Sequence, residues 1–217
     1  FIESGAGIGS NFSDLDYSEA GAEIVDSKEK VYKCPVILKI APLTDIEINL
    51  IKQNSILISA LELKKQSASY LTKLIKKKIT CIAFEFIEED DGYFPVADQL
   101  GVITGQAAVL ICSELMSNVN SLGKGLFLGN ISGVPPTEIV VIGSDKIAES
   151  AALTATRLGA RVKVFSNSIF KLNKIQKLIG NPIYSSTIQK KQLSILSKRA
   201  CLIESNSFLL SSRLLLV

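Results

Sequence analysis

Residues 138–148 read EIVVIGSDKIA, and they give the clearest indication of the fold. Its first half has the pattern of a buried strand, and Gly143 then leads directly into a segment with helical periodicity. A strand that passes through a glycine turn into a helix is the opening of a mononucleotide-binding βαβ unit. The stretch therefore predicts a parallel sheet covered by helices.

The turn departs from the dinucleotide-binding pattern at one position. Gly143 is present and Ala148 is acceptable at the third glycine position, but Asp145 stands at the middle one. Glycine belongs there because the backbone must approach the pyrophosphate, and an aspartate adds a side chain and a negative charge. The candidate cofactor-binding turn comprises Gly143, Ser144, Asp145, Lys146 and Ile147.

The end of the next predicted strand bears on the choice of dinucleotide. In NAD-binding units an acidic residue about 20 residues after the glycine turn accepts the ribose hydroxyls, whereas this sequence has Ser166. A serine with Lys171 nearby would suit a 2′-phosphate. We include Ser166 in the candidate cofactor site. Binding of NAD, binding of NADP, and an impaired or empty nucleotide site all stay open on these residues.

Apolar runs of strand length alternate with helix-period segments along almost the whole chain. The strand-like runs are 1–3, 36–40, 55–60, 80–86, 138–142, 161–165, 182–184 and 200–203. The helical patterns are 14–21, 27–33, 44–52, 66–78, 99–118, 146–158, 168–178 and 188–197. Ser13, Ser27 and Thr44 stand where N-caps belong. The alternation predicts an α/β fold with two Rossmann-like, doubly wound parallel-sheet domains.

A polar, glycine-punctuated stretch separates the two predicted domains. The charge balance changes there, because residues 1–130 carry 12 Lys and Arg against 17 Asp and Glu, and residues 131–217 carry 12 against 4. We predict a first domain over 1–125, a Gly/Pro-rich linker over 126–136 and a partial second domain over 137–217. The basic second domain would attract phosphates, but its few aromatic residues disfavour nucleic acid as a partner.

Composition narrows the chemistry further. The 217 residues include no histidine, so the commonest general acid and base at neutral pH is missing and a structural zinc site is disfavoured. The four cysteines lie far apart without a CxxC pair, which favours reduced thiols in a cytoplasmic protein. No apolar run reaches the ~18–20 residues of a membrane span, and we find no signal peptide. Since Phe1 already lies in a strand pattern, we expect further chain before it.

Seven segments together have the order and spacing of a known family. They are residues 3–17 (ESGAGIGSNFSDLDY), 20–22, 36–42 (VILKIAP), 83–86 (AFEF), 92–95, 129–136 (GNISGVPP) and 158–160. In these segments the chain resembles the alanine dehydrogenase/pyridine nucleotide transhydrogenase family, most closely its bacterial transhydrogenase alpha-like members. The resemblance implies a substrate-type domain, an NAD(P)-binding domain, hydride transfer to or from a nicotinamide cofactor, and assembly as a homo-oligomer or with a partner subunit.

Transferring the family's functional residues gives a reduced set. The lysine that contacts the substrate carboxylate corresponds to Lys39, and the catalytic histidine falls at Glu62. With Asp145 and Ser166 in the cofactor turn, no catalytic residue is assigned, and the nucleotide site is interpreted as degraded. The alternative is a non-catalytic homologue that acts as an interaction or assembly protein, or that binds a small ligand.

Three further features receive plainer interpretations. The glycine turn at residues 4–10 fails the dinucleotide pattern, because Ser10 occupies the third glycine position, and is predicted to be an ordinary turn. Glu85 lies in an apolar run and is predicted to be a buried carboxylate with its hydrogen bonds satisfied. The acidic residues 88–91 are interpreted as a solvent-facing hairpin loop rather than a cation site.

Overall fold

The computed structural model describes residues 1–63, 65–119, 121, 123–180, 183–188, 201–204 and 214–215. The chain divides into two compact units, Phe1–Phe94 and Pro95–Val217. The division falls before the long apolar helix, whereas the sequence placed the linker after it, at 126–136. The assignment of a substrate-type and an NAD(P)-binding role to the two domains stays a prediction.

The first unit contains two parallel sheets within its described residues. Strands β1 (Ile2–Glu3) and β2 (Ile24–Val25) pair with each other. Strands β3 (Val36–Leu38), β4 (Ile56–Ser59) and β5 (Thr80–Ala83) form the second sheet in that order. The helices are α1 (Asp14–Glu19), α2 (Lys28–Tyr32), α3 (Asp45–Leu50) and α4 (Ala68–Lys76), with 3-10 helices at Ile8–Ser10 and Phe84–Phe86.

Short polar motifs start the helices of this unit. Ser13 and Thr44 each form a capping box with the acidic residue three positions later, as their spacing predicts. Ser27 occupies the N-cap of α2 without a side-chain hydrogen bond to the helix backbone. The core lies on one face of the β3–β4–β5 sheet, where Ile37 and Leu57 pack with Ile48, Tyr70 and Leu74 of the helices.

The second unit begins with the long helix α5 (Pro95–Met116). It continues with β6 (Glu138–Ile142), α6 (Lys146–Arg157), β7 (Arg161–Phe165), α7 (Ile169–Ile179), β8 (Tyr184–Ser186), β9 (Cys201–Glu204) and β10 (Leu214–Leu215). Among the described residues the strand order is β10-β9-β6-β7-β8, and every pair except β9–β10 is parallel. This architecture confirms the predicted α/β, Rossmann-like fold class.

Helix α5 packs closely against α6 because it presents glycines to it. A Cβ atom added at Gly105 would lie 2.5 Å from the Ile147 carbonyl oxygen, and one at Gly101 would lie 3.0 Å from Cβ of Lys146. The Ser150 hydroxyl of α6 donates to the carbonyl of Val102. In the described part of the chain, α5 is the one helix long and apolar enough to cross a membrane by length and composition, a test that core helices also pass.

Several sequence-based boundaries shift in the structure. Residues Phe84–Phe86 form a 3-10 helix instead of continuing β5, and the short strands β2 and β10 were not predicted. The predicted helix over 188–197 lies almost entirely outside the described residues. The expectation of reduced cysteines is wrong for Cys112, which is disulfide-bonded, whereas Cys34 and Cys81 are free. Sequence spacing gives no sign of this, because a disulfide depends on distance in space.

Candidate functional site

The turn after β6 lies where the topology of the second sheet favours a ligand. Strand β6 is flanked by β7 on one side and β9 on the other. The chain therefore adds β7 and β8 on one side of β6 and then returns to add β9 on the other side. In open parallel sheets, ligands bind outside the carboxyl ends of the strands at such a reversal point. The residues predicted as the cofactor turn, Gly143 to Ile147, occupy this position.

Gly143 performs a backbone role that the sequence identified. Its φ of 132° lies in a region that side chains strongly disfavour, and its N–H donates to the Phe165 carbonyl at 2.8 Å. The turn is thereby joined to the end of β7. Any other residue at position 143 would strain the passage from strand to helix.

Asp145 is the N-cap of α6. Its Oδ1 atom accepts a hydrogen bond from the backbone N–H of Ala148 at 3.0 Å. One of the N–H groups at this helix end, which in a dinucleotide site faces the pyrophosphate, is therefore already satisfied by a carboxylate of the chain itself. Asp145 also supplies the negative charge that the helix dipole attracts.

Ser144 and Ser166 connect the turn to the end of β7 through their side chains. The two hydroxyl oxygens lie 2.6 Å apart, and Ser166 Oγ also accepts from the backbone N–H of Ser168 at 3.3 Å. Ser166 is buried. The position expected to contact a ribose is thus occupied by a serine that is bound within the protein.

Lys146 and Ile147 complete the predicted set. The Lys146 ammonium donates to Oε1 of Glu149 at 2.7 Å, and Lys174 approaches the other oxygen of that buried carboxylate at 3.9 Å. The charge of Lys146 is therefore paired along its own helix. Ile147 is buried against the rest of the unit.

The turn combines features that favour a dinucleotide with features that oppose one. The glycine turn and the helix N-terminus are present. Asp145, however, places its own carboxylate at the N-terminus of α6, and Ser166 stands where the dinucleotide pattern has an acidic residue.

In the first unit, Lys39 follows β3 at the carboxyl end of the sheet. Its ammonium donates to Oε2 of the buried Glu47 at 2.6 Å, and that oxygen also accepts from the backbone N–H of Thr44 at 2.7 Å. Glu47 was not singled out from the sequence: its position three residues after Thr44 indicates a capping box, but it does not indicate the ion pair with Lys39.

The hydrogen bonds around Glu47 shift the pKa values of Glu47 and of the neighbouring Tyr32. Burial raises the pKa of Glu47, but hydrogen bonds from Lys39, Thr44 and Tyr32 outweigh it and hold this pKa at about 2. Burial, followed by the hydrogen bond to Glu47, raises the pKa of the Tyr32 phenol. Lys39 is consequently neutralised by an internal carboxylate, which any anionic substrate group would have to replace or share.

Glu62, which the resemblance assigns to the position of the family's histidine, lies in a loop that Glu85 binds. Oε1 of Glu85 accepts from the backbone N–H groups of Leu61 at 2.8 Å and Glu62 at 2.9 Å. The prediction that Glu85 is buried is confirmed, but its Oε2 atom has no partner among the described residues, so its hydrogen bonding is only half satisfied. Glu62 itself has a φ of 48° and an ion pair with Lys65.

The glycine turn near the N-terminus is also closed by an internal carboxylate. Asp14 accepts from the Ser4 hydroxyl at 2.7 Å and from the Gly5 N–H at 2.8 Å, and these bonds lower the pKa of Asp14. This arrangement agrees with an ordinary turn. In the part of the chain that the structure describes, no group of three or more His, Cys, Asp or Glu side chains could hold a metal ion.

Two family models match the chain. The model described as alanine dehydrogenase/PNT, N-terminal domain, covers residues 1–100, and its C-terminal-domain counterpart covers residues 108–205. An alanine dehydrogenase of Bilophila wadsworthia is 29% identical over 93% of this chain and 53% of its own length. One of Staphylococcus epidermidis is 31% identical over 89% of this chain and 51% of its length.

Solved structures show the same likeness. An L-alanine dehydrogenase superposes with a TM-score of 0.77 at 26% identity, over 92% of this chain and 55% of that one. A transhydrogenase from Sinorhizobium meliloti shares the fold, with a TM-score of 0.71 at 20% identity over 94% of this chain and 59% of that one. The chain spans about half the length of the curated relatives it matches.

Proposed function

Because the chain belongs to the alanine dehydrogenase/PNT family of nicotinamide-dependent oxidoreductases, we propose that it keeps the family framework but binds NAD and NADP weakly. The observation that carries the proposal is the hydrogen bond from the Ala148 N–H to Asp145 Oδ1. It places a fixed carboxylate at the N-terminus of α6, at the topological position where the family fold would bring the cofactor phosphates.

The size of the electrostatic effect supports weak binding. Two unit charges about 4 Å apart interact by about 4 kcal/mol at an effective dielectric constant of about 20. Asp145 is exposed to solvent, so a phosphate placed beside it would meet a repulsion between this value and the about 1 kcal/mol of bulk water. Lys146 offers limited compensation, because its ammonium is bonded to Glu149. The internal cap would have to be displaced before a pyrophosphate could approach the helix backbone.

The candidate substrate-binding residue Lys39 is also paired with a carboxylate of the chain itself. If Lys39 binds a substrate carboxylate, as the resemblance implies, that carboxylate competes with Glu47 at 2.6 Å. Glu47 has three hydrogen-bonding neighbours and a pKa of about 2, so it stays ionised at neutral pH. An alanine-like substrate therefore meets an ammonium that is already neutralised.

Titration calorimetry with NAD and NADP tests the proposal. The variants are Asp145→Gly, Ser166→Asp and the double variant, with Asp91→Gly as an acidic-to-glycine control outside the turn. We expect no micromolar binding by the unchanged chain or the control, and at least a tenfold gain by the double variant. Micromolar binding of either dinucleotide by the unchanged chain would refute the proposal.

A second candidate is a site that prefers NADP. It is favoured by Ser166, which removes the carboxylate that would repel a 2′-phosphate, and by the positive balance of residues 131–217. In the same calorimetry this candidate requires NADP to bind at least tenfold more tightly than NAD to the unchanged chain. Its failure leaves the weak-binding proposal intact.

A third candidate is a non-catalytic interaction or assembly protein. It is favoured by exposed apolar side chains on α5, namely Ile103, Leu110 and Ile111. It requires a stable oligomer or partner complex together with an NADH fluorescence that the protein leaves unchanged. Homo-oligomer formation and a cytoplasmic location stay predictions.

A further inference from the structure

The exposed side of helix α7 combines apolar and cationic side chains. Phe170, near the N-terminal end, is 81% exposed, and Lys174 and Lys177 follow it four and seven residues later, so that the three lie in one row. The opposite side of the helix is buried in the core of the second unit through Leu172 and Ile175. We call the exposed residues Ile169, Phe170, Lys171, Lys174 and Lys177 the α7 face.

The positive charge of the α7 face is largely uncompensated. Lys174 lies 3.9 Å from an oxygen of Glu149, and no ion pair between described residues includes Lys171 or Lys177. Residues 169–179 contain no Asp or Glu. The helix backbone is well defined at its start, because Ser168 is the N-cap and its hydroxyl accepts from the Lys171 N–H at 3.4 Å. The α7 face is therefore an ordered cationic surface with apolar residues at one end.

The first unit carries a surface of opposite charge that also contains exposed apolar residues. Phe86 is 59% exposed, Ile87 is exposed beside it, and the four acidic residues 88–91, all exposed, follow directly. Among the described residues, no ion pair includes any of these four carboxylates. We call residues 86–91 the acidic loop.

Hydrogen bonds fix the conformation of the acidic loop. The Glu89 N–H donates to the Tyr93 carbonyl at 2.8 Å, and the Gly92 N–H donates to the Glu89 carbonyl at 2.9 Å. Oδ1 of Asp91 accepts from the Tyr93 N–H at 3.0 Å. A partner therefore meets carboxylates on a backbone that is already ordered, which lowers the entropic cost of association.

The two surfaces are complementary in charge and in order. Each has two exposed apolar residues followed by its charged residues, three lysines on the α7 face and four carboxylates in the acidic loop. We propose that the α7 face of one copy of this chain binds the acidic loop of a second copy, with the apolar pairs in contact and the charges opposed. An anionic lipid surface would also attract the lysines, but it would leave the acidic loop without a partner.

The nature of the contact determines how it should behave. Because the two surfaces differ, the contact is head-to-tail, and such contacts lead to rings or open assemblies. Both sets of charges face solvent, so salt should weaken the association. The inference uses no residue of the nucleotide turn and is independent of whether the chain binds NAD or NADP.

Carbodiimide cross-linking of the full chain tests the contact, because it joins an ammonium to a carboxylate without a spacer. Normal chain and chain labelled with heavy isotopes are mixed, cross-linked and analysed by mass spectrometry, which distinguishes links between copies from links within one copy. We expect mixed-isotope links between lysines of the α7 face and residues 88–91. Raising NaCl to about 1 M, where the Debye length is about 3 Å, should lower their yield about tenfold.

Charge reversal on each surface provides the variants. Lys171→Glu with Lys177→Glu reverses charge on the α7 face, and Glu89→Lys with Asp90→Lys reverses charge in the acidic loop while leaving the hydrogen-bonded carboxylate of Asp91 in place. Each double variant alone should lose most of the mixed-isotope links, because like charges then meet. A mixture of the two double variants should regain links between the two surfaces, because opposite charges meet again.

Lys76→Glu is the matched control, because Lys76 is an exposed lysine on α4 beside Ile75, which is 73% exposed. We expect its links to match those of the unchanged chain, and circular dichroism shows that each variant is folded. The proposal is overturned if the unchanged chain gives no mixed-isotope links between the two surfaces, if the double variants link as well as the control, or if their mixture regains nothing. It is also overturned if the copies do not link while the α7 lysines bind phosphatidylserine vesicles, because an anionic membrane would then be the occupant.

Discussion

The Oδ1 atom of Asp145 lies 3.0 Å from the backbone nitrogen of Ala148, so helix α6 carries an anion of its own at its N-terminus. In the first unit, internal carboxylates likewise bind cationic or N–H groups at three places. Asp14 closes the first glycine turn, Glu47 neutralises Lys39, and Glu85 binds the loop that contains Glu62. Side chains of the protein therefore occupy groups that could otherwise hold an anionic ligand.

The cap at position 145 should stabilise the fold while opposing nucleotide binding. Replacing Asp145 with alanine removes the acceptor for the Ala148 N–H, and we expect a loss of about 1 kcal/mol in unfolding free energy. Asp145→Asn keeps an N-cap oxygen without the charge, so its unfolding free energy should stay within a few tenths of a kcal/mol of that of the unchanged chain. Urea denaturation followed by circular dichroism measures both variants. Equal losses for the two would show that the hydrogen bond is not what stabilises the helix.

The Lys39–Glu47 pair makes the unfolding free energy depend on pH in the acidic range. The folded-state pKa of Glu47, about 2, lies below its ordinary 4.5, so its contribution is complete above pH 4.5 and is lost as the pH falls toward 2. The shift corresponds to at most about 3 kcal/mol. We expect Glu47→Gln to flatten the decline in urea stability between pH 4.5 and 2. The exposed Glu19, changed to glutamine, is the control, and a decline that is equally steep in Glu47→Gln would contradict the prediction.

The contact between α5 and α6 leaves no space at Gly105. Alanine has the higher helix propensity by about 1 kcal/mol, but its Cβ would lie 2.5 Å from the Ile147 carbonyl, a backbone atom that yields little. We expect overpacking to dominate and Gly105→Ala to destabilise the second unit by about 1–3 kcal/mol. Gly9→Ala is the comparison, since nothing lies within 4 Å of its added Cβ. Thermal unfolding that is indistinguishable for the two variants would disprove the close packing.

Glu85 should be essential for the loop after β4. Glu85→Ala leaves the N–H groups of Leu61 and Glu62 without their acceptor, and we expect a loss of about 2–4 kcal/mol. Glu85→Gln keeps one carbonyl oxygen as an acceptor, so its unfolding free energy should fall clearly less than that of Glu85→Ala. Hydrogen exchange of the Leu61 and Glu62 amides reports on this loop directly, and we expect its rate to rise in Glu85→Ala more than in Glu85→Gln. Unchanged exchange there would show that another group holds the loop.

Much of the nucleotide turn could be predicted because its signals are local. The strand, Gly143 and the helix follow one another within a few residues, and the preference of glycine for a positive φ is a property of the backbone alone. Glu47 could not be ranked as a site residue, because its pairing with Lys39 depends on how α3 packs beside β3. Cys112 was misjudged for the same reason, since a disulfide depends on distance in space.

The amino-acid sequence alone establishes the α/β class, the alternation of strands and helices, and the departure of Asp145 and Ser166 from the dinucleotide pattern. These follow from periodicity and residue type, which are short-range properties. The structure was needed to show that Glu47 neutralises Lys39 and that one face of the β3–β4–β5 sheet carries exposed apolar side chains. Both depend on how different secondary-structure elements pack together, which periodicity and residue type do not fix.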